Sequence, residues 1–80
     1  PATRSQRPRL SYREQQELSA LPGTIEQLEA DMADLHAAMT SPDFYRRPGD
    51  QIAADQLRLQ QLEEQLASSY TRWEELDGKS

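Results

Sequence analysis

The chain has 80 residues, 35% apolar and 29% charged, with five aromatic side chains, three glycines and no cysteine. That bounds one small module, too short for the deep core of most catalytic folds and better suited to a thin helical assembly than to a sandwich or barrel. The lack of Cys excludes a disulfide framework and a thiolate zinc site, and no apolar run approaches the ~20 residues that span a bilayer. The formal charge of −5 hides an asymmetry. Arg4, Arg7, Arg9 and Arg13 give the first thirteen residues +4 with no acid, which leaves −9 on residues 14–80.

Residues 1–10, with two prolines, three arginines and no apolar stretch, are expected to form a basic flexible linker rather than a signal peptide, leading in from a longer protein. A domain over 11–78 follows. Ser11 with Glu14 three residues on is a capping-box signature and predicts a helix start. The pattern Leu21-Pro22-Gly23 predicts a stop or bend, because proline lacks the N–H and disfavours a helical residue before it. The reading is a short helix over about 12–20 and a second over about 22–40, joined as one bent helix or stacked as two. Leu18, Leu21, Ile25, Leu28, Met32, Leu35 and Met39 alternate in steps of three and four, the a/d stripe of a heptad.

The stripe breaks at residues 41–49, where Pro42, Pro48 and Gly49 mark a hairpin tip and Ser41 can cap a turn. A long helix is expected over about 50–77, with Ile52, Leu59, Leu66 and Trp73 at a, and Leu62 and Leu76 at d. Asp55 and Ser69 are polar d positions. Gly78 is placed to supply a left-handed stop.

The fold class is therefore all-α: an antiparallel two-stranded coiled-coil hairpin with a short additional N-terminal helix. One register satisfies both stripes. Leu35/Leu59, Met32/Leu62, Leu28/Leu66, Leu21/Trp73 and Leu18/Leu76 all have position numbers totalling 94. It implies two weak layers, Met39/Asp55 and Ile25/Ser69, where a polar side chain must reach outward or admit water. Tyr12, Tyr70 and Trp73 are expected to cluster at the base, and Phe44 and Tyr45 to close the tip. A two-stranded seam with no second face should be only marginally stable.

Catalytic chemistry has few candidates. The chain has one histidine, His36 at an e position, no phosphate-cradling glycine loop, no metal-spaced histidine pair and no EF-hand pattern, so no catalytic or metal-ligating residue is assigned. The carboxylates lie outside the stripe, where charges are usually solvated. Basic residues carry the functional reading. Arg46 and Arg47 beside Phe44 and Tyr45 pair guanidinium with ring, a combination that stacks on bases and holds phosphates. Arg4, Arg7, Arg9 and Arg13 form a second basic group, and four phosphate contacts would give a log–log salt slope of roughly −3 to −4. The plain alternative is a solvated turn whose rings cover the end of the seam. A body at −9 repels polyanions, so binding by this chain alone is expected to be weak at physiological salt.

Four segments in order, Leu10-Ser11-Tyr12-Arg13-Glu14-Gln15-Gln16-Glu17-Leu18, then Leu21-Pro22 with Ile25-Glu26-Gln27-Leu28-Glu29, then Ser41-Pro42-Asp43-Phe44-Tyr45, and Arg72-Trp73-Glu74-Glu75-Leu76, resemble the C-terminal domain of the Uup-type ABC-F ATPases. The resemblance covers residues 9–77. It implies a cytoplasmic, ribosome-associated parent without membrane domains, with ATP and Mg²⁺ handled by nucleotide-binding domains and no cofactor in this chain. It also implies an accessory arm that contacts nucleic acid, DNA or ribosomal RNA, as a monomer. Two features depart from the family pattern: Gly23, which implies a sharper bend, and the acidic balance. The rival reading is a structural or protein-interaction coiled coil docking on the parent ATPase or the ribosome.

Overall fold

The computed structural model describes residues 10–79. Two helices of nearly equal length, α1 (Tyr12–Thr40, 29 residues) and α2 (Gly49–Lys79, 31 residues), are joined by a tip carrying a single 3₁₀ turn, Phe44–Arg46. At ~1.5 Å per residue they run about 43 and 46 Å, so they can pair along their whole length. The cross-section is only 17 × 15 Å, and among the described residues one helix lies beside another with no third layer. Among the described residues there is no strand. This is the expected all-α hairpin.

The predicted seam is the observed one. Every stripe position on both helices is buried or half-buried, from Leu18 to Met39 and from Ile52 to Leu76. The deepest are Leu21, Ile25, Leu62 and Leu76, the last with no exposed surface. Cross-helix hydrogen bonds confirm the antiparallel register. Tyr70–Glu29, Arg72–Glu17 and Lys79–Glu14 have position numbers totalling 99, 89 and 93, bracketing the predicted 94.

The additional N-terminal helix does not exist as a separate element. The helix expected over 12–20 and the one over 22–40 are a single α1 that runs through Pro22 and Gly23. The local cost of proline is overridden because Leu21 and Ile25, on either side of it, are both buried in the seam and need helical spacing to arrive there. Pro22 itself is exposed, where water can take the backbone acceptor left without its donor. Gly23 is helical too.

Both ends of α1 follow local rules. Ser11 Oγ accepts from the Glu14 N–H at 3.1 Å while Glu14 Oε1 accepts from the Ser11 N–H at 2.9 Å, the reciprocal box read from the sequence. At the other end the Ser41 N–H bonds the Ala38 carbonyl, and Thr40 Oγ1 donates to Ala37 O. The end of α2 differs from expectation. Gly78 has no left-handed conformation and the helix continues to Lys79, whose charge suits a helix C-terminus and whose ammonium is held across the hairpin by Glu14.

The aromatic clusters also need correction. Phe44 folds into the end of the seam at 2% exposure, whereas Tyr45 meets it edge-on at 4.9 Å and stays 68% exposed. At the base, Tyr12 is 75% exposed and accepts from Gln16 Nε2, and Tyr70 lies outside the seam. Only Trp73 of that trio is a stripe residue, and it is half-buried. Tyr12 at b faces solvent, and Tyr70 at e flanks the seam and reaches across to Glu29, so no ring cluster forms there.

Candidate nucleic-acid interface

The tip is positioned by two residues. Buried Phe44 anchors the 3₁₀ turn, whose backbone is closed by the Phe44 N–H to Ser41 O at 3.0 Å and the Arg46 N–H to Asp43 O at 3.1 Å. Arg47 braces the turn onto α2. Its Nη1 donates to Asp55 Oδ2 at 2.8 Å, its Nε donates to Gln51 Oε1 at 3.2 Å, and its guanidinium lies 5.8 Å from the Phe44 ring centroid. Asp55 was one of the two polar layers. It is half-buried, and its charge is met by Arg47 rather than left to solvent alone.

The six arginines singled out by sequence fall into distinct situations. Arg4, Arg7 and Arg9 lie outside the described residues. Arg13 is exposed near the start of α1. Arg46 projects from the tip, its side chain 81% exposed, with a long 3.4 Å contact to equally exposed Asp43. Such a contact is weak in water and leaves the guanidinium available. Arg47 keeps 42% of its side chain exposed while bracing the turn. The structure thus brings Arg46, Arg47 and exposed Tyr45 together at one end and leaves Arg13 at the other.

Sequence reading missed three pairings across the hairpin. Arg72 pairs with Glu17 through Nε–Oε2 at 2.6 Å and Nη2–Oε1 at 3.1 Å, and touches Glu75 at 3.5 Å. Lys79 Nζ meets Glu14 Oε2 at 3.0 Å. Tyr70 Oη donates to Glu29 Oε2 at 2.9 Å. The signal was available: Glu17 and Arg72 are both g positions, and Glu29 and Tyr70 both e, and in an antiparallel coil like edges face each other. These contacts shift titrations in consistent directions. Glu14 is held below the usual carboxylate value by the Ser11 N–H and then by Lys79, and Glu17 by the Arg72 guanidinium. Arg72 is pushed up by Glu17, and Tyr70 is pushed up by its bond to Glu29.

The second polar layer opens a shallow groove. Ser69 is half-buried opposite buried Ile25, and around it Thr24, Leu28, Gln61, Glu64, Gln65 and Ser68 line a depression along the helix pair. Five of its seven lining residues carry an amide or a hydroxyl, and Leu28 and Glu64 complete it. Among the described residues no group of three or more His, Asp or Glu side chains is placed to hold a metal ion, and no helix is long and apolar enough to cross a membrane.

The chain belongs to the ABC transporter C-terminal domain family, whose model matches residues 9–77. It is 38% identical to the ATP-binding protein Uup-like of Haemophilus influenzae over 71 residues, 89% of this chain and 16% of that protein. The ATP-binding protein Uup of the same organism is also 38% identical, over 89% of this chain and 11% of its own length. Uup of Escherichia coli is 32% identical over 86% of this chain and 11% of its length. The chain thus spans less than a fifth of the curated relatives it matches. No solved structure matches it.

Proposed function

We propose that this chain is a non-catalytic accessory arm of a cytoplasmic, ribosome-associated ABC-F ATP-binding protein and that it contacts nucleic acid through its basic ends. The observation that carries this reading is the tip, where an 81% exposed arginine stands beside a 68% exposed tyrosine on a turn fixed by a buried phenylalanine. A solvent-facing ring and guanidinium carried on a fixed turn can stack on a base and hold a phosphate. Arg46 and Arg47 serve the tip; Arg13 serves the base together with Arg4, Arg7 and Arg9. ATP and Mg²⁺ belong to nucleotide-binding domains of the parent, with no cofactor in the arm, which works as a monomer.

The test is fluorescence anisotropy of labelled duplex DNA, branched DNA and structured RNA at about 50 mM salt, where screening is modest. The intact chain should bind with low affinity that falls as salt rises. Arg46→Glu with Arg47→Glu should weaken binding several-fold, and removal of residues 1–9 should weaken it further. No binding of any of these probes would overturn the reading.

A protein-docking role on the parent ATPase or ribosome is the second reading. It is favoured by Leu57, 55% exposed on the back of α2, which contributes nothing to the seam. Binding that is unchanged by the arginine substitutions but lost in Leu57→Ser would favour it.

A further inference from the structure

Asp55 stands at a d position of α2, half-buried in the seam, where the register sets it against Met39. The next d position of the same helix, Leu62, is buried. A leucine at 55 would extend the apolar stripe, and a half-buried carboxylate gives up hydration that a leucine does not need. What the acid holds in return is Arg47, at 2.8 Å.

Arg47 is tied into the tip by its backbone and into α2 by its side chain. Its N–H closes the 3₁₀ turn on Phe44 O at 3.3 Å, and Pro48 after it confines its backbone to the extended region it occupies, at φ −76° and ψ 160°. The side chain then runs along α2, meeting Gln51 and, one turn further on, Asp55. On the way its guanidinium covers the ring of Phe44, 5.8 Å from the centroid. Phe44 is the buried anchor of the turn, and both exposed groups are referred to it: the Tyr45 ring meets it edge-on, at 4.9 Å and 89°, and Arg46 is the last residue of its 3₁₀ turn. Two adjacent arginines therefore do different things. Arg47 turns inward to brace the turn, while Arg46, bonded by its side chain to equally exposed Asp43 at a long 3.4 Å, points into water.

We infer that Asp55 is a positioning residue for the tip: by holding Arg47 over Phe44 it fixes the turn that presents Tyr45 and Arg46, at a seam position where an apolar side chain would stabilise the hairpin more. The inference rests on the tip reading above for its functional weight, and it divides the labour there between Arg46 as contact and Arg47 as brace. Asp suits the task because a charge-assisted bond to a guanidinium is stronger than the neutral bond an amide would offer. Without it Arg47 is free to leave Phe44, since 42% of its side chain already faces water.

The experiment compares the full 80-residue chain with Asp55→Leu, Asp55→Asn and Arg46→Gln. Urea unfolding and ¹⁵N relaxation are measured without nucleic acid, and anisotropy is measured with labelled duplex DNA. Asp55→Leu should raise the urea midpoint, yet the amide order parameters of Tyr45 and Arg46 should fall from about 0.85 towards about 0.6 while those along α1 and α2 stay high. Asp55→Asn, which keeps an acceptor, should show a smaller fall at the same two residues. Arg46→Gln should leave the order of the turn unchanged. Asp55→Leu also makes the chain less acidic by one charge, which by long-range electrostatics alone would tighten binding of a polyanion. Loss of positioning should instead weaken it about threefold. Unchanged order at Tyr45 and Arg46 in both Asp55 variants, a loss of order spread along both helices, or tighter DNA binding by Asp55→Leu would overturn the inference. Absence of binding by the unaltered chain would overturn the tip reading, and the order parameters would still decide whether Asp55 fixes the turn.

Discussion

Arg72 holds Glu17 with two guanidinium nitrogens, at 2.6 and 3.1 Å, across 55 residues of sequence, and so fixes the end of α2 against the start of α1. Beside it, Glu14 uses one carboxylate oxygen to cap α1 and the other to hold Lys79. The N-terminal cap of the first helix and the last turn of the second are thereby one structure, and a change to either should be felt by the other.

Acid should loosen this base first. Glu14 and Glu17 both have folded-state pKa values below the usual carboxylate value of about 4.5. Their contribution is therefore complete above that value and disappears as pH falls through the lowered values. A helicity titration from pH 7 to pH 2 should show reduced melting temperature at the acid end. Glu17→Gln should lower the neutral-pH melting temperature and flatten part of that dependence. A variant with an unaltered acid profile would show that the pair does not stabilise the fold.

Leu76 has no exposed surface, whereas Leu57 is 55% exposed. Leu76→Ala should cost about 2–5 kcal/mol, enough to unfold much of a marginal two-helix protein at 25 °C. Leu57→Ala should stay within about 0.5 kcal/mol. Urea titrations followed by circular dichroism distinguish them, and equal effects would contradict the packing described above.

Residues that the fold tolerates against local preference should give stability back when replaced. Pro22 lies inside α1, so Pro22→Ala restores a backbone donor and should stabilise by about 1–3 kcal/mol. A Cβ at Gly23 would meet nothing within 4 Å, and Gly23→Ala should add roughly 0.5–1 kcal/mol. A loss of stability in Pro22→Ala would mean that the proline shapes α1 in a way the seam requires.

Ser69 occupies a seam position but leaves a groove beside Leu28. Ser69→Leu should extend the apolar stripe and raise the unfolding free energy by about 1 kcal/mol.

The seam was legible residue by residue because burial in a two-helix hairpin follows a single periodicity. From Leu18 to Leu76 no predicted stripe position is exposed. The capping box at Ser11 and Glu14 was legible for the same reason: its partners are three residues apart. Pro22 misled because its penalty is local, whereas the burial of Leu21 and Ile25 that overrides it depends on α2. The sequence offers Arg47 as a phosphate-holding guanidinium at the tip. Its bond to Asp55, eight residues away and past the turn, depends on how the chain leaves the 3₁₀ segment.

By itself the sequence determined an acidic helical hairpin with basic ends, since composition, heptad spacing and punctuation by Pro42, Pro48 and Gly49 allow little else. Tertiary structure decided that α1 runs unbroken, that Tyr45 faces solvent while Phe44 does not, and that Asp55 has a partner. It also decided which charges share an edge. Each of these depends on energies that exist only once two helices lie side by side in one register: burial shared between them, and Coulomb attraction between groups far apart in the chain.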